Sequence, residues 1–189
     1  MTSVIEVRPA GSNAPLQARL ARLPVLSRAR VSRAYAQVAI DVARERGADL
    51  DLLARRSGIR GIKSDSPDTF GVENYIALLG EAADMLSDPV FGLRLGLQMG
   101  IRSAIGYDMV MRSCANFRQA AIQTERFESL AHDLGRSELV VDGGTGCVNW
   151  HSPWLGVAHS RHLTESVAAS FRSSIDWLAG VQLPAFEFG

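Results

Sequence analysis

Lysine is almost missing from this sequence. Nineteen of the twenty basic residues are arginine, and Lys63 is the exception; the bias reads as the codon usage of a GC-rich bacterial genome and implies no chemistry. Cysteine is nearly as scarce. Cys114 and Cys147 show none of the short spacings of metal or redox motifs, so two reduced thiols in a cytoplasmic setting are expected. Net charge is absent as well, twenty acids balancing twenty bases, and nothing global points to nucleic acid or a membrane surface as partner. No run approaches the ~18 uninterrupted apolar residues of a membrane span, and the first twenty residues lack the continuous apolar core of a secretory signal.

Catalytic signatures are missing too. There is no G-x-S-x-G turn to present a nucleophile, and neither cysteine carries a local signature. The glycines at 143–146 are too few for a dinucleotide fingerprint and stand between strand-like runs instead of opening a helix. His159, His162 and Glu165 fall at i, i+3 and i+6, close enough on a helix to share an ion, yet no further His or Cys completes a set. The expectation is a protein that is not an enzyme and holds no metal or cofactor.

What is present is a 189-residue chain with 47% apolar content, enough for one globular domain. Residues 1–24, with Pro9, Gly11, Pro15 and Pro24, read as an extended lead-in, and 25–189 as the domain proper. Residues 1–35 hold six arginines against Glu6 alone. Such an arm can touch phosphate, but a solvated helix face beside a loose terminus is the simpler account.

From Ser27 the pattern turns helical. Val31, Tyr35, Val38 and Val42 form one stripe, and Gly47 ends the helix. A short helix follows in "ADLDLLARRSGI" and stops at Gly58. Asp68 or Thr69 is placed to cap a third, with Val72, Ile76, Leu79, Ala83 and Leu86 inward. "DPVFGLRLG", 88–96, is ambiguous, because Phe91, Leu93 and Leu95 alternate like a strand. Asp88-Pro89 opens helices, however, and Phe91, Leu95 and Met99 share a face at spacing four. We read a helix whose Gly92 and Gly96 admit another backbone at close range.

"SAIGYDMVMRS" reads as a short apolar helix. A longer one from Phe117 carries Ala120, Ala121, Thr124, Phe127, Ala131 and Leu134 on one side and ends at Gly135. "SELVVD" and "GCVNWHS" around "GGT" read as an antiparallel hairpin, with Val148 and Trp150 on one face and Cys147, Asn149 and His151 on the other. A last long helix spans His159 to Leu178, and Phe186 and Phe188 alternate in a final extended run. The fold class expected is α+β: a mostly helical N-terminal bundle, a small antiparallel sheet and a long C-terminal helix.

The order of these pieces carries a resemblance. "GADLDLLARRSGI", then "DPVFGLRLG", then "AIGYDMVMRSCANFRQAAIQTERFESLAHD", a glycine-turn hairpin and "RHLTESVAAS" together resemble the N-terminal effector domain, often labelled arabinose-binding-like, of AraC/XylS-type bacterial transcription regulators. The likeness covers about residues 27 to 189. It implies a sensor that binds a small-molecule effector or a second copy of itself and biases a pair of helix-turn-helix motifs. It also implies that the segment after Asp88-Pro89 is a scaffold helix leading by a glycine-bearing link to Gly106-Tyr107. The DNA-binding half expected C-terminal to such a domain does not follow here, and the run stops after "FEFG", so a truncated domain is expected, with DNA contacted only through the missing part. A stand-alone domain that titrates a full-length regulator is the alternative, and an unrecognised enzyme a further one.

Effector pockets are mostly apolar, with a few polar groups that fix orientation. The hairpin and last helix bring such a mixture together in Trp150, His151, Trp154, His162 and Glu165, and Tyr107 beside Gly106 is a further candidate. The simpler account of each is ordinary core or surface. A sugar would favour stacking on Trp with carboxylate contacts, an amino acid opposed Arg and Glu; both sets exist here.

Overall fold

The computed structural model describes residues 3–8, 28–62, 68–99, 110–111, 113–142, 145–180 and 187–188, the first and last of these stretches as backbone only. Strand β1 (Ser3–Arg8) lies within the extended lead-in. Strand β2 (Arg30–Ser32) follows, then helix α1 (Arg33–Glu45). The helix therefore begins later than its apolar stripe suggests, and Val31 belongs to a strand. Ser32 explains the shift: its hydroxyl accepts the Tyr35 N–H at 3.2 Å. A side chain can cap in this way only from an extended backbone, here φ −62° and ψ 148°.

Helix α2 (Leu50–Ser57) is capped by the Asp49 carboxylate, which accepts from the N–H groups of Asp51 and Leu52, and it stops at Gly58 in the left-handed region, φ +70°. Neither Asp68 nor Thr69 caps the third helix: Asp68 precedes strand β3 (Thr69–Gly71), which contains Thr69 and runs antiparallel to β2 with Val31 opposite Phe70, and Gly71 takes the N-cap position. Helix α3 (Val72–Met85) starts directly after it, and the first free amide, that of Val72, donates to the Ala29 carbonyl. Val72, Ile76, Leu79 and Ala83 of its expected stripe are buried, while Leu86 is the C-cap residue and only partly buried.

"DPVFGLRLG" is helical. Helix α4 (Phe91–Met99) buries Phe91, Leu95 and Met99, and Asp88 Oδ1 accepts the Val90 N–H ahead of its first turn. Asp88 is itself buried between Arg46 Nη2 at 3.2 Å and Arg94 Nε at 3.0 Å. Both contacts are charge contacts and not aligned hydrogen bonds, since Oδ2 has no hydrogen-bond partner. They tie the end of α1 to the start of α4.

Helix α5 (Phe117–Phe127) passes into a 3-10 turn, Glu128–Leu130. It buries Ala120 alone, against Met111 and Leu178 in a small separate cluster, while Ala131 and Leu134 beyond it join the main core. The expected continuous stripe from Phe117 is thus split. The last helix, α6 (Ser160–Ala179), ends at Gly180.

Strands β4 (Arg136–Asp142) and β5 (Thr145–His151) form the antiparallel hairpin, with Glu138 opposite Asn149 and Arg136 opposite His151. Strand β1 adds in parallel to β5, and the short β6 (Glu187–Phe188) adds in parallel to β1, giving the order β4-β5-β1-β6. The chain is α+β as expected; the sheet is mixed because the N-terminal strand joins the hairpin. One core unites both halves: Tyr35, Leu53, Tyr75, Leu79, Phe91 and Leu95 from the bundle are continuous with Leu134, Trp150, Trp154 and Leu163. Burying each of these larger side chains contributes roughly 1.5–3 kcal/mol.

The glycine expectation holds closely. A Cβ on Gly92 would strike the His162 carbonyl oxygen, and one on Gly96 the Ser166 carbonyl oxygen and the Ala169 methyl. Helices α4 and α6 therefore touch backbone to backbone.

Candidate functional site

The end of the hairpin and the start of α6 sit on this core, and most of the residues singled out from sequence fall there. Trp150, on β5, is 1% exposed. Its indole lies where any side chain on Gly135 would have to go, 2.6 Å from the position of that missing Cβ. Trp154 is also buried, and its Nε1–H donates to the Asp133 carbonyl at 3.0 Å. Tyr107 lies outside the described residues.

Alternation along β5 turns His151 away from Trp150, and that face is closed as well. The His151 side chain is 4% exposed, with Nε2 3.3 Å from Glu138 Oε2 on β4. Its other nitrogen, Nδ1, is buried without a hydrogen-bond partner. Asn149 shares the face and accepts the Cys147 thiol at 3.3 Å. The parallel register sets Glu6 of β1 beside Asn149, and Arg8 beside His151. Among the described side chains, Glu138, Asn149 and His151 thus make a polar face opposite the one that carries Trp150.

His162 and Glu165, one turn apart on α6, lie beneath α4 at Gly92. Arg161 Nε donates to Glu165 Oε1 at 2.6 Å. His162 Nδ1 approaches Glu165 Oε2 at 3.5 Å, yet both atoms lack a hydrogen-bond partner, so the pair is in electrostatic contact only. His159 stands apart from them at the N-terminus of α6, its backbone left-handed at φ +64° and its ring against Gly80 of α3. Among the described residues, no three His, Cys, Asp or Glu side chains come together as a metal-ligand set.

On sequence His132 and Asp133 read only as the charged end of a helix, with the imidazolium suited to its dipole; the helical run instead ends at Leu130, and the pair forms a joint. Asp133 accepts the Arg30 N–H through Oδ2 at 2.9 Å and the Arg136 guanidinium through Oδ1 at 2.9 Å, donates its own N–H to the Arg30 carbonyl, and takes the Trp154 indole on its carbonyl. Strand β2, strand β4 and the loop after β5 converge on this one residue. Beside it His132 packs edge-on against Tyr35, ring centroids 4.7 Å apart, and Tyr35 does the same to Tyr75 at 5.8 Å. His132 keeps some solvent contact as a residue, but its Nδ1 is sealed and unpartnered. Desolvation, then the Arg136 charge, lowers its pKa from 6.5 to about 4. Burial, with Tyr35 adding to it, likewise raises the Tyr75 hydroxyl well above its ordinary value.

Glu138 was passed over, although a signal existed: counting back across the hairpin from its glycine turn pairs Glu138 with Asn149 and places it on the His151 face. His132 left no such trace, because its contact with Tyr35 depends on the whole fold.

No helix among the described residues is long and apolar enough to cross a membrane. No curated protein matches the chain. The profile of the family described as the arabinose-binding domain of AraC transcription regulators, N-terminal, matches residues 47–188. That span runs from the end of α1 through the α4–α6 joint, the hairpin and the last helix, and it covers most of the sequence. The chain accordingly belongs to the family of N-terminal arabinose-binding domains of AraC transcription regulators, a ligand-sensing family and not one of enzymes.

Proposed function

We propose that this domain senses a small-molecule effector in the cytoplasm and passes the response into the helical bundle of a transcription regulator. The reading is carried by the family match, which spans the polar end of the hairpin and the helices that support it. Effector contacts are assigned to His151, His162, Glu165 and Tyr107, with Glu138 added from the structure, and with Trp150 and Trp154 as the apolar backing. Binding there favours one arrangement of sheet against bundle over another, which is all that an effector needs in order to act. Two rigid routes lead away from the site: the Asp133 joint toward β2, and the α4–α6 contact at Gly92 and Gly96. A second copy of the chain is the expected protein partner, and DNA is reached only through a separate DNA-binding region.

A thermal-shift screen of pentoses, polyols, amino acids and short carboxylic acids tests the reading. An effector present at 100 times its Kd stabilises by about 2.7 kcal/mol, an easily read shift. A flat response across the panel counts against sensing, and sedimentation of a strict monomer with and without a binder counts against the second copy.

A further inference from the structure

We propose that the cleft walled by the end of α2, strand β3 and the start of α3 is a binding site for a small organic carboxylate, with Arg60 as its anchor. The site shares no residue with the hairpin and does not depend on the sensing reading above. The cleft holds about 210 Å³, less than the ~300–1,000 Å³ of pockets that take drug-sized ligands, so its occupant is small.

Gly58, at the end of α2, and Gly71, ahead of α3, both line it. The left-handed backbone of Gly58 accounts for that glycine by itself. Gly71 is different. At φ −63° and ψ 142° any residue fits its backbone, yet a Cβ there would come within 2.8 Å of Asn74 Oδ1. Asn74 also lines the cleft, and its Nδ2 is held by the Ser57 carbonyl at 2.9 Å. A side chain at position 71 would therefore crowd the space that glycine leaves open.

The lining is chemically one-sided. Phe70, 4% exposed, gives it an apolar floor. Arg60 and Thr69 are exposed, and among the described residues neither side chain has a hydrogen-bond or ion-pair partner. A guanidinium only donates, through a planar fork that matches the two oxygens of a carboxylate, and the Thr69 hydroxyl adds a further donor. No carboxylate is among the described lining groups.

The charges around the cleft agree. Arg33 lies over the Phe70 ring, Cζ 5.7 Å from the centroid, and donates to the Gly61 carbonyl. Arg30, opposite Gly71 in the strand register, donates to the Ala29 carbonyl. Asp68 and Glu73 adjoin the lining in sequence, but neither pairs with Arg33 or Arg60 among the described residues. Three arginines thus face two carboxylates, and the charge that lines the cleft is positive. Lys63 and Asp65, one of each sign, lie outside the described residues. An ammonium ligand would meet Arg60 as a like charge. Inorganic phosphate would leave the Phe70 floor unused, whereas a carboxylate with a short apolar tail engages both.

Proton–nitrogen NMR titration of the whole chain with sodium benzoate tests the proposal. Benzoate should move the Gly58 and Gly71 amides, the Asn74 side-chain amide and the Arg60 Nε–H together along one saturating curve. Benzamide, nearly the same shape without the charge, should leave them in place at equal concentration. Arg60→Gln removes the fork at an exposed position and should weaken benzoate at least about tenfold, and Thr69→Val should weaken it by a smaller factor. If Arg60→Gln fails to fold, benzoate against benzamide decides alone. Shifts that never saturate, that benzamide reproduces, or that persist unchanged in Arg60→Gln overturn the proposal. Inorganic phosphate matching benzoate overturns it too, since the cleft is then only an arginine with its counter-ion. Movement confined to the hairpin amides also overturns it, while supporting the sensing reading.

Discussion

The indole of Trp154 donates its hydrogen to the main-chain carbonyl of Asp133, and the Asp133 carboxylate holds Arg136 and the Arg30 amide on its other side. The Arg136 side chain is only 8% exposed, so its charge depends on this carboxylate. Removing one partner of a buried pair strands the other. Asp133→Ala should therefore destabilise the domain by about 2–4 kcal/mol, the Arg136 bonds to the carbonyls of His132 and Gly135 softening the loss. Trp154→Phe, which keeps the ring and loses one hydrogen bond, should cost about 1–2 kcal/mol. Urea denaturation followed by circular dichroism reads both, and Asp133→Ala proving the milder change would refute the joint.

The α4–α6 contact makes a second prediction. Gly92→Ala and Gly96→Ala each push a methyl into a carbonyl oxygen of α6, and overpacking of this kind costs about 1–3 kcal/mol. Leu97, 59% exposed on the same helix, supplies the contrast. Leu97→Ser should stay within about 0.5 kcal/mol of the parent. A thermal melt in which the glycine variants are neutral would mean that the helices are not in backbone contact.

These two glycines were legible in the sequence because three signals agreed: Asp88-Pro89 opens a helix, Phe91, Leu95 and Met99 repeat at spacing four, and small residues recur on the adjoining row. Strand β2 was not legible, since three residues are too few to show a period, and Val31 satisfies a helical stripe and a buried strand equally. Helix α5 misled for a different reason. Its apolar stripe is real, but the helix packs on Met111 and Leu178 through Ala120 and turns Glu128 inward, a choice made by the needs of the neighbouring strand. At the candidate site, the hairpin parity that separates Trp150 from His151 could be read directly, whereas the convergence on Asp133 joins three distant segments and has no local signature.

His132 predicts a pH dependence. Its folded pKa of about 4 lies below the 6.5 of an exposed imidazole, so the folded state holds the ring neutral while the unfolded chain binds a proton. Stability is then undiminished above about pH 6.5, falls as the pH drops toward 4 and levels off below that. Full burial would make the loss about 3 kcal/mol, and the solvent contact this residue retains makes it smaller. His132→Phe keeps a ring against Tyr35 and removes the proton site. The stability of the variant relative to the parent should rise between pH 7 and pH 4 in parallel chemical denaturations; a constant difference would show that His132 does not titrate in this window.

Strand β4 is a sheet edge, and two carboxylates close it. Both oxygens of Glu128 accept the Ser137 N–H, at 2.9 and 3.0 Å, and Glu125 accepts the Leu139 N–H. An open edge of this kind is a template for pairing with another chain, and exposed Val140 and Val141 on the same strand would add to the hazard. Glu128 is itself buried at 5% exposure, so its carboxylate relies on such donors. Glu128→Ala should leave the Ser137 amide buried without an acceptor, cost about 1–3 kcal/mol, and raise the hydrogen-exchange rate at Ser137 and Leu139 ahead of the β5 amides. The variant should also gain concentration-dependent association in light scattering, because the freed edge can then pair. If exchange quickens uniformly across the hairpin while association is unchanged, Glu128 supports the fold in general and does not guard the edge.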